Sequence, residues 1–549
     1  MSASPEAHDL SGPLSILLSC PQCGGPSTVA DDARSAVCAH CGSFLILDRP
    51  GRDEIFLAES LVTGAEEIQR IVIAYRVQAH RAELIARYST EGVDGTRLEP
   101  PEVFLEQELR RYEGSLAQTV HVVEAHAVEV PYWHLAATIL QGILGRQHDG
   151  PKEVRIRAFG VEHTVPGYDT RKANLRDRGL RLARARVHPL SRVTAQERGP
   201  FLPWVPIPEE AHREVDRWRA RDLDPGTEPV TKRGDLVFVR RFLVYRRSWL
   251  ARVVVSDAEQ SWVLVDAGFS TIGGYPGEVE ARALLAAAVP EPARAGLQET
   301  KVYVHPSRCP DCGADTAFAP RSLAVICPNC QLGLEPRPEG VRVFPYDHAE
   351  PSWSGPAEYI PFWIFPARMT VTGAAPIERL DAYAQLLYPK GAPPGFSLKG
   401  GHFFVPAVRL LGTEAGDECF QHVAEWIHGS PPELVAGKVP LGGGSSFRDA
   451  TLPEGEAREV LPFLLYAIHD KPSAARLNTL LVRKLLDAAR IEDAPGRLVF
   501  IPFAPDRESL GVPGRDLRLS RALLDDGPEI VAQRVTVFRA SASAPRGAR

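Results

Sequence analysis

Eight of the nine cysteines in this chain stand in C-x-x-C pairs, and the pairs are themselves paired. Cys20 and Cys23 precede Cys38 and Cys41, with fourteen residues between the two turns; Cys309 and Cys312 precede Cys327 and Cys330 at the same interval. A C-x-x-C turn lets two thiolates converge on one ion while nearby backbone N–H groups donate to sulfur, and a second turn completes a tetrahedral shell of four sulfurs. The expected cofactors are therefore two structural Zn2+ ions, one per set, although a shell of four cysteines also accommodates iron. Such a shell has no open position for water, which a catalytic zinc needs. Each ion would contribute on the order of 10–16 kcal/mol to folding a ribbon too small to fold alone. Glycine follows Cys23, Cys41 and Cys312, where the turn favours positive φ; Gln331 follows Cys330, which predicts a differently bent fourth turn. Cys419, in "GDECFQH", has no partner and is expected to be a buried apolar residue.

Other chemistry-bearing patterns are weak. There is no G-x-x-x-x-G-K-[ST], H-E-x-x-H or G-x-S-x-G motif, and the glycine-rich "PLGGGSSF" lacks a lysine, so it reads as a loop. His422, Glu425 and His428 in "HVAEWIH" are spaced to diverge around a helix, which is expected to lie at the surface. His121 and His126 are five apart on an expected strand and so point to opposite faces. From Arg171 to Arg198, nine Arg or Lys face only Asp177 and Glu197. Arg171, Lys172, Arg176, Arg178, Arg181, Arg184 and Arg186 could meet a polyanion or acidic partner, or belong to a solvated loop or helix face.

The elements that must position these residues can be read in outline. "VPYW" at Val130–Trp133 and "IPFW" at Ile360–Trp363 follow the first and second cysteine sets in the same order, which predicts an internal duplication. Cys20 lies 113 residues before Trp133 and Cys309 only 54 before Trp363, so the first half carries an insertion. "TGAEEIQRIVIAYRVQAHRAELIARY" fits it: Thr63 and Glu66 stand in capping-box relation. Ile68, Val72, Tyr75, Ala79, Ala82 and Ile85 share a face of one long helix, continued by "PPEVFLEQELRRYEG". Alternating β-branched and aromatic residues in "GDLVFVRRFLVYRRSWLARVVVSDAEQSWVLVDAGF", with polar "SDAEQ" at its centre, predict a hairpin. "GGHFFVPAVRL" and "GRLVFIPFAP" are its expected counterparts, and "GEVEARALLAAAV", "IERLDAYAQLLY", "EGEAREVLPFLLYAIH" and "SAARLNTLLVRKLLDAARI" read as helices.

The expected fold class is α+β: two four-cysteine zinc ribbons, each followed by a mainly antiparallel sheet module with helices. The expected boundaries are a disordered N-terminus at 1–17, ribbon 1 at 18–47, a helical insertion at 48–115 and module 1 at 116–300. Ribbon 2 follows at 301–337, module 2 at 338–540 and a disordered tail at 541–549.

The eight ribbon cysteines, "VPYW", "IPFW" and "GGHFFVPAVRL" resemble a loose group of bacterial tandem zinc-ribbon proteins, in which a "CPxCG...CxxCG" ribbon precedes Pro-aromatic-Trp strand modules. That resemblance implies two zinc ions and this organisation, and no catalytic residues. The long insertion after the first ribbon departs from a simple two-copy plan.

Composition bounds the function. A net charge of −6, from 63 Lys and Arg against 69 Asp and Glu, excludes a generally polycationic chain. No apolar stretch reaches the roughly 18 residues of a membrane span, and "PLSILLS" lacks the basic flank of a signal peptide, so the expected location is cytoplasmic. Together these point to a non-catalytic scaffold or adaptor that binds a protein partner. The alternatives are a nucleic-acid-binding component using the ribbons and residues 171–198, or an enzyme whose site no motif reveals.

Overall fold

The computed structural model describes residues 15–525, apart from 31–32, 49–52, 92–96, 148–151, 169–185, 191–197, 208–216, 218–226, 257–258, 269, 293–300, 372–374, 389–390, 393–396, 412, 440–444, 469–488 and 516. The expected tail at 541–549, most of the glycine-rich loop, residues 473–488 of the helix expected over 473–491 and residues 1–14 lie outside this set, and the last two residues of that expected helix, Arg490 and Ile491, form a strand instead. Residues 15–17, expected as part of a disordered N-terminus, instead form strand β1 (Ser15–Ser19). Ile16 and Leu18 are buried there, and that burial offsets the entropy of ordering the segment. Among the described residues the chain is α+β, with seven helices and mainly antiparallel sheets. No described helix is long and apolar enough to cross a membrane.

The first half proceeds from β1 through β2 (Pro26–Ala30), β3 (Ser35–Val37), β4 (Phe44–Asp48) and β5 (Asp53–Ala58) to helix α1 (Ala65–Tyr88). A small hairpin, β6 (Thr90–Glu91) with β7 (Arg97–Leu98), leads to α2 (Glu102–Thr119). Then come β8 (His121–Gln147), β9 (Lys152–Pro166), β10 (Arg186–Pro189), β11 (Thr227–Ser256), β12 (Glu259–Asp266), β13 (Thr271–Gly274) and α3 (Glu278–Ala287). A nine-stranded sheet runs β13-β12-β11-β5-β10-β1-β2, with β8 on the other edge of β11 and β9 beyond it. The expected hairpin is β11 against β12, paired from Ser248–Asp266 to Ser256–Glu259.

Strand β14 (Lys301–His305) pairs antiparallel with β4, giving a three-stranded sheet β3-β4-β14. β15 (Val325–Ile326), β16 (Gly333–Arg337) and β17 (Gly340–Phe344) form a second three-stranded sheet in sequence order. The second half continues with β18 (Asp347–Ala349), β19 (Glu358–Pro366), β20 (Met369–Thr370), α4 (Leu380–Leu387), β21 (His402–Pro406), α5 (Glu414–Gly429) and β22 (Leu434–Ala436). It ends with β23 (Ser446–Phe447), α6 (Glu454–Ala467), β24 (Arg490–Ile491), β25 (Arg497–Pro505), β26 (Ser509–Gly511), β27 (Arg518–Ser520) and α7 (Arg521–Asp525). β20 pairs with β24, while the eight-stranded sheet runs β21-β19-β25-β18-β22, with β23 against β19 and with β26 and β27 extending from β25.

The two large sheets share one strand order at their centres. β9-β8-β11-β5-β10 in the first corresponds to β21-β19-β25-β18-β22 in the second, and β5 and β18 are each the parallel partner of the long central strand. The registers agree: Pro131 to Trp133 face Tyr245 to Leu243, and Pro361 to Trp363 face Phe500 to Leu498. Each tryptophan indole donates to a backbone carbonyl, Trp133 to Val205 at 2.8 Å and Trp363 to Leu452 at 2.7 Å. Those acceptor residues in turn donate their own amides to Gly167 and Ala407, the residues that follow the last proline of β9 and of β21. Both Pro-aromatic-Trp phrases are thus core strand rather than an exposed stacking platform: Trp133 is buried and Trp363 half-buried, each with its one polar atom satisfied.

The halves are interlocked. The far ends of β8, β9 and β11 carry Leu140, Ile156, Ala158 and Val237 into the same core as α5 and α6. Gly142 lies against the Tyr466 ring, Ala158 N donates to Asp417 Oδ2 at 2.9 Å and Phe238 N to Glu459 Oε2 at 2.6 Å. Phe238 has φ 57° beside the bulge between Val237 and Arg240. Such a conformation costs about 1–3 kcal/mol, and a hydrogen bond to a carboxylate offsets a similar amount.

Two helical expectations change. The insertion is two helices rather than one continuous run, and Glu67, not Glu66, closes the first: its Oε2 accepts from Thr63 N at 2.7 Å and from Gly64 N at 3.1 Å. Ile68 and Val72 are buried against Val253, Val263 and Val265 of the sheet, whereas Ala79 and Ala82 are exposed; Leu84 is the buried residue of the later turns. Contact with a finite sheet covers only the first turns, so a stripe drawn by periodicity alone runs too far. The helix carrying "HVAEWIH", α5, is also not a surface helix. Phe420, Val423, Ala424, Ile427 and His428 are all buried, because the arm from β9 covers one side and α6 and β21 the others.

Candidate metal centres

Each centre is built from two turns that the backbone bends identically. In the first, Cys20 N donates to Gly25 O and Gly24 N to Cys20 O; in the second turn Cys38 N donates to Ser43 O and Gly42 N to Cys38 O. The same pair of bonds recurs at Cys309 with Ala314 and Gly313, and at Cys327 with Leu332 and Gln331. The residue after the second cysteine takes a left-handed φ in every case: 72° at Gly24, 73° at Gly42, 71° at Gly313 and 59° at Gln331. The expectation of a different fourth turn is therefore corrected. Gln331 accepts the left-handed conformation because the backbone bond to Cys327 demands it, and its carbonyl receives the Tyr346 hydroxyl at 2.9 Å.

The sulfurs converge. Cys20 and Cys41 Sγ are 3.8 Å apart and Cys23 and Cys38 Sγ 3.7 Å; in the second set Cys309 and Cys330 are 3.5 Å apart, and Cys312 and Cys327 3.6 Å. All four sulfurs of each set lie within 4.8 Å of one another. A tetrahedron with metal–sulfur bonds of about 2.3 Å has edges of about 3.8 Å, so both sets fit a four-coordinate ion. The separations are far beyond a disulfide bond of about 2.0 Å. Both four-cysteine groups could thus hold a metal ion, and Cys23 and Cys41 leave the first more exposed than the second.

Neighbouring groups prepare the thiolates. Backbone N–H groups of Cys41 and His40 lower the Cys38 thiol to about 6, and the Asn329 side chain together with the Ala314 amide does the same for Cys312. Burial first, and then hydrogen bonding with the adjoining thiols, raises Cys330 to about 12. Gly25 N lies 3.4 Å from Cys23 Sγ and Ser43 Oγ 3.1 Å from Cys41 Sγ. A side chain at Gly25 would strike the His40 ring, whose Nε2 meets Pro26 O at 3.1 Å. Sequence reasoning did not single out His40, Ser43 or Asn329; their positions inside or beside the C-x-x-C turns are the signal that could have found them.

The other expected residues are dispersed. Arg171, Lys172, Arg176, Arg178, Arg181 and Arg184 lie outside the described residues, and Arg186 is exposed at the start of β10. Arg198, at the end of the basic segment, turns inward: it bonds Ala58 O and approaches Glu129, which Arg247 also holds at 3.0 Å. Burial pushes the Glu129 carboxyl up against the pull of those two arginines. Arg246, paired with Asp266 at 2.5 Å, is likewise buried. Strand alternation alone would not have found these pairs, because β11 is covered on both faces. His422 is exposed and His428 fully buried, so the two do not meet. His121 and His126 do not meet either; His126 bonds Glu124 at 2.8 Å, within a cluster that Arg252 and Arg282 complete. Cys419 is buried as expected, and burial raises its thiol to about 12. Comparison of the chain with family models, with curated proteins and with solved structures finds no match.

Proposed function

We propose that this chain is a non-catalytic zinc-binding scaffold, in which two zinc ribbons and two sheet modules derived from one ancestral unit hold a surface for another protein. One observation carries the reading: each cysteine set closes on itself, so a bound ion would have four protein sulfurs and no position left for water or substrate. Zinc is the ion that such a shell favours in a structural role. The common strand order and register of the two large sheets support the duplication, and the resemblance to bacterial tandem zinc-ribbon proteins points the same way.

Metal analysis of the purified chain tests the first part, with two zinc ions per chain expected. Quantitative cross-linking in cells tests the second: one defined protein should be enriched with the intact chain and lost when Cys23 and Cys41 are both changed to serine. A chain that folds without metal, or that carries an ion with an exchangeable water ligand, refutes the reading.

A further inference from the structure

Resting on the reading of both cysteine sets as metal centres, we infer that they form one coupled unit, in which an ion at either centre strengthens binding at the other. The strand between them is shared. Phe44 and Ile46 of β4 pack with Cys309, Phe318, Val325, Cys327 and Leu334 of the second ribbon, while Leu45, pointing the other way, packs with Cys20 and Cys38 of the first. Successive residues of one strand point to opposite faces, so β4 is clamped between the two sulfur cages. β14 repeats the arrangement, with Val302 and Val304 against the first cage and Tyr303 against the second.

The ribbons differ in how they are completed. The second makes its three-stranded sheet from its own β15, β16 and β17. The corresponding sheet of the first ribbon draws only β3 and β4 from that ribbon, its β1 and β2 joining the nine-stranded sheet; the third strand is β14, which ends at His305, four positions before Cys309. Its loop is held across the same boundary, with Arg34 N and Ser35 N donating to Pro320 O at 2.6 and 3.2 Å and Ser35 Oγ to Ala319 O at 3.2 Å. Phe44 stacks on Phe318 with ring centroids 5.3 Å apart. Ordering the second cage therefore places the strand, the loop and the ring that the first cage needs. Thermodynamic linkage makes the effect reciprocal, with the same factor in both directions.

The test is a cobalt(II) titration of the full chain against a competing chelator, followed by native mass spectrometry to count ions. Three variants accompany the wild type: Cys23→Ser with Cys41→Ser, Cys312→Ser with Cys330→Ser, and Phe318→Ala, which keeps all eight thiols. The wild type should load two ions with little one-ion species. Each double variant should bind one ion roughly tenfold more weakly than the same centre does in the loaded wild type, by an equal factor for the two centres. Phe318→Ala should still bind two ions but populate the one-ion species. Wild-type affinity at the surviving centre, together with unchanged stepwise constants in Phe318→Ala, overturns the coupling while leaving the metal reading standing. A wild-type chain that takes up no ion overturns that reading itself.

Discussion

His428 should make this protein acid-sensitive, and the effect can be worked from its surroundings. The ring is fully buried in the last turn of α5, with Nδ1 2.7 Å from Ala424 O and Nε2 accepting the Phe404 amide at 3.0 Å. That arrangement requires the neutral tautomer with the proton on Nδ1, since a second proton would face an N–H donor. Burial depresses the ring from 6.5 to about 4, against the smaller opposing pull of the Ala424 carbonyl. The unfolded chain takes up a proton near pH 6.5 and the native chain does not until about pH 4, so the unfolded state binds more protons between those values. The stabilisation is fully present above pH 6.5 and is lost as pH falls through that window. At 1.36 kcal/mol per unit of difference, the loss is about 2 kcal/mol by pH 5 and about 3 kcal/mol below pH 4. His188, half-buried in β10, and His402, at the start of β21, are both shifted downward by partial desolvation and act in the same direction to a smaller extent. His428→Gln offers an acceptor for Phe404 and a donor for Ala424 without a titrating group, and serves as the comparison. Hydrogen exchange of the Phe404 amide, corrected for intrinsic rate, should show protection falling about thirtyfold from pH 7.5 to 5 in the wild type, beyond any fall in the variant. Equal pH dependence in both chains, or a His428 ring whose nitrogen resonances titrate near 6.5, refutes the reasoning.

Other outcomes follow from the cages and the interlocked sheets. Cys38→Ser should abolish ion binding at the first centre and expose 44–48 to exchange, as read by mass spectrometry, because the ribbon loses a ligand and most of its folding energy with it. Gly313→Ala should destabilise the second ribbon by about 1–2 kcal/mol through its left-handed φ of 71°, although nothing within 4 Å would clash; Gln331→Gly should shift stability the opposite way. Gly142→Ala should cost about 1–3 kcal/mol, since the added carbon would lie 2.5 Å from the Tyr466 ring, and thermal unfolding should show the two halves separating earlier. Trp133→Phe and Trp363→Phe should each cost about 1 kcal/mol by equilibrium denaturation, one lost hydrogen bond apiece, if the two positions are true counterparts.

Much of the site was legible because its rules are short-range. Spacing alone named all eight sulfurs, and the turns that present them depend on backbone bonds spanning five residues or fewer. Even the one expectation that failed there, at Gln331, failed toward regularity: the local bond to Cys327 overrode the side chain. The strands around Trp133 and Trp363 were legible for a similar reason, since runs of β-branched and aromatic residues are written in adjacent positions, although both strands are buried on consecutive residues rather than alternately. The buried face of α1 was legible only through Ile68 and Val72, where a sheet lies beneath it; period says which residues share a side but not how far the covering surface extends.

What the amino-acid order alone determined, then, is the pair of four-thiol sets, their closure and the strand character of the central segments, all consequences of near neighbours in the chain. Only the tertiary structure decided that β14 completes the first ribbon, that β4 lies between both cages, and that the arm of β8, β9 and β11 buries α5 and with it His428. These rest on pairing between segments hundreds of residues apart. Such pairing is chosen by the net burial and hydrogen bonding of whole surfaces, and it leaves no period or spacing in the sequence for a reader to find.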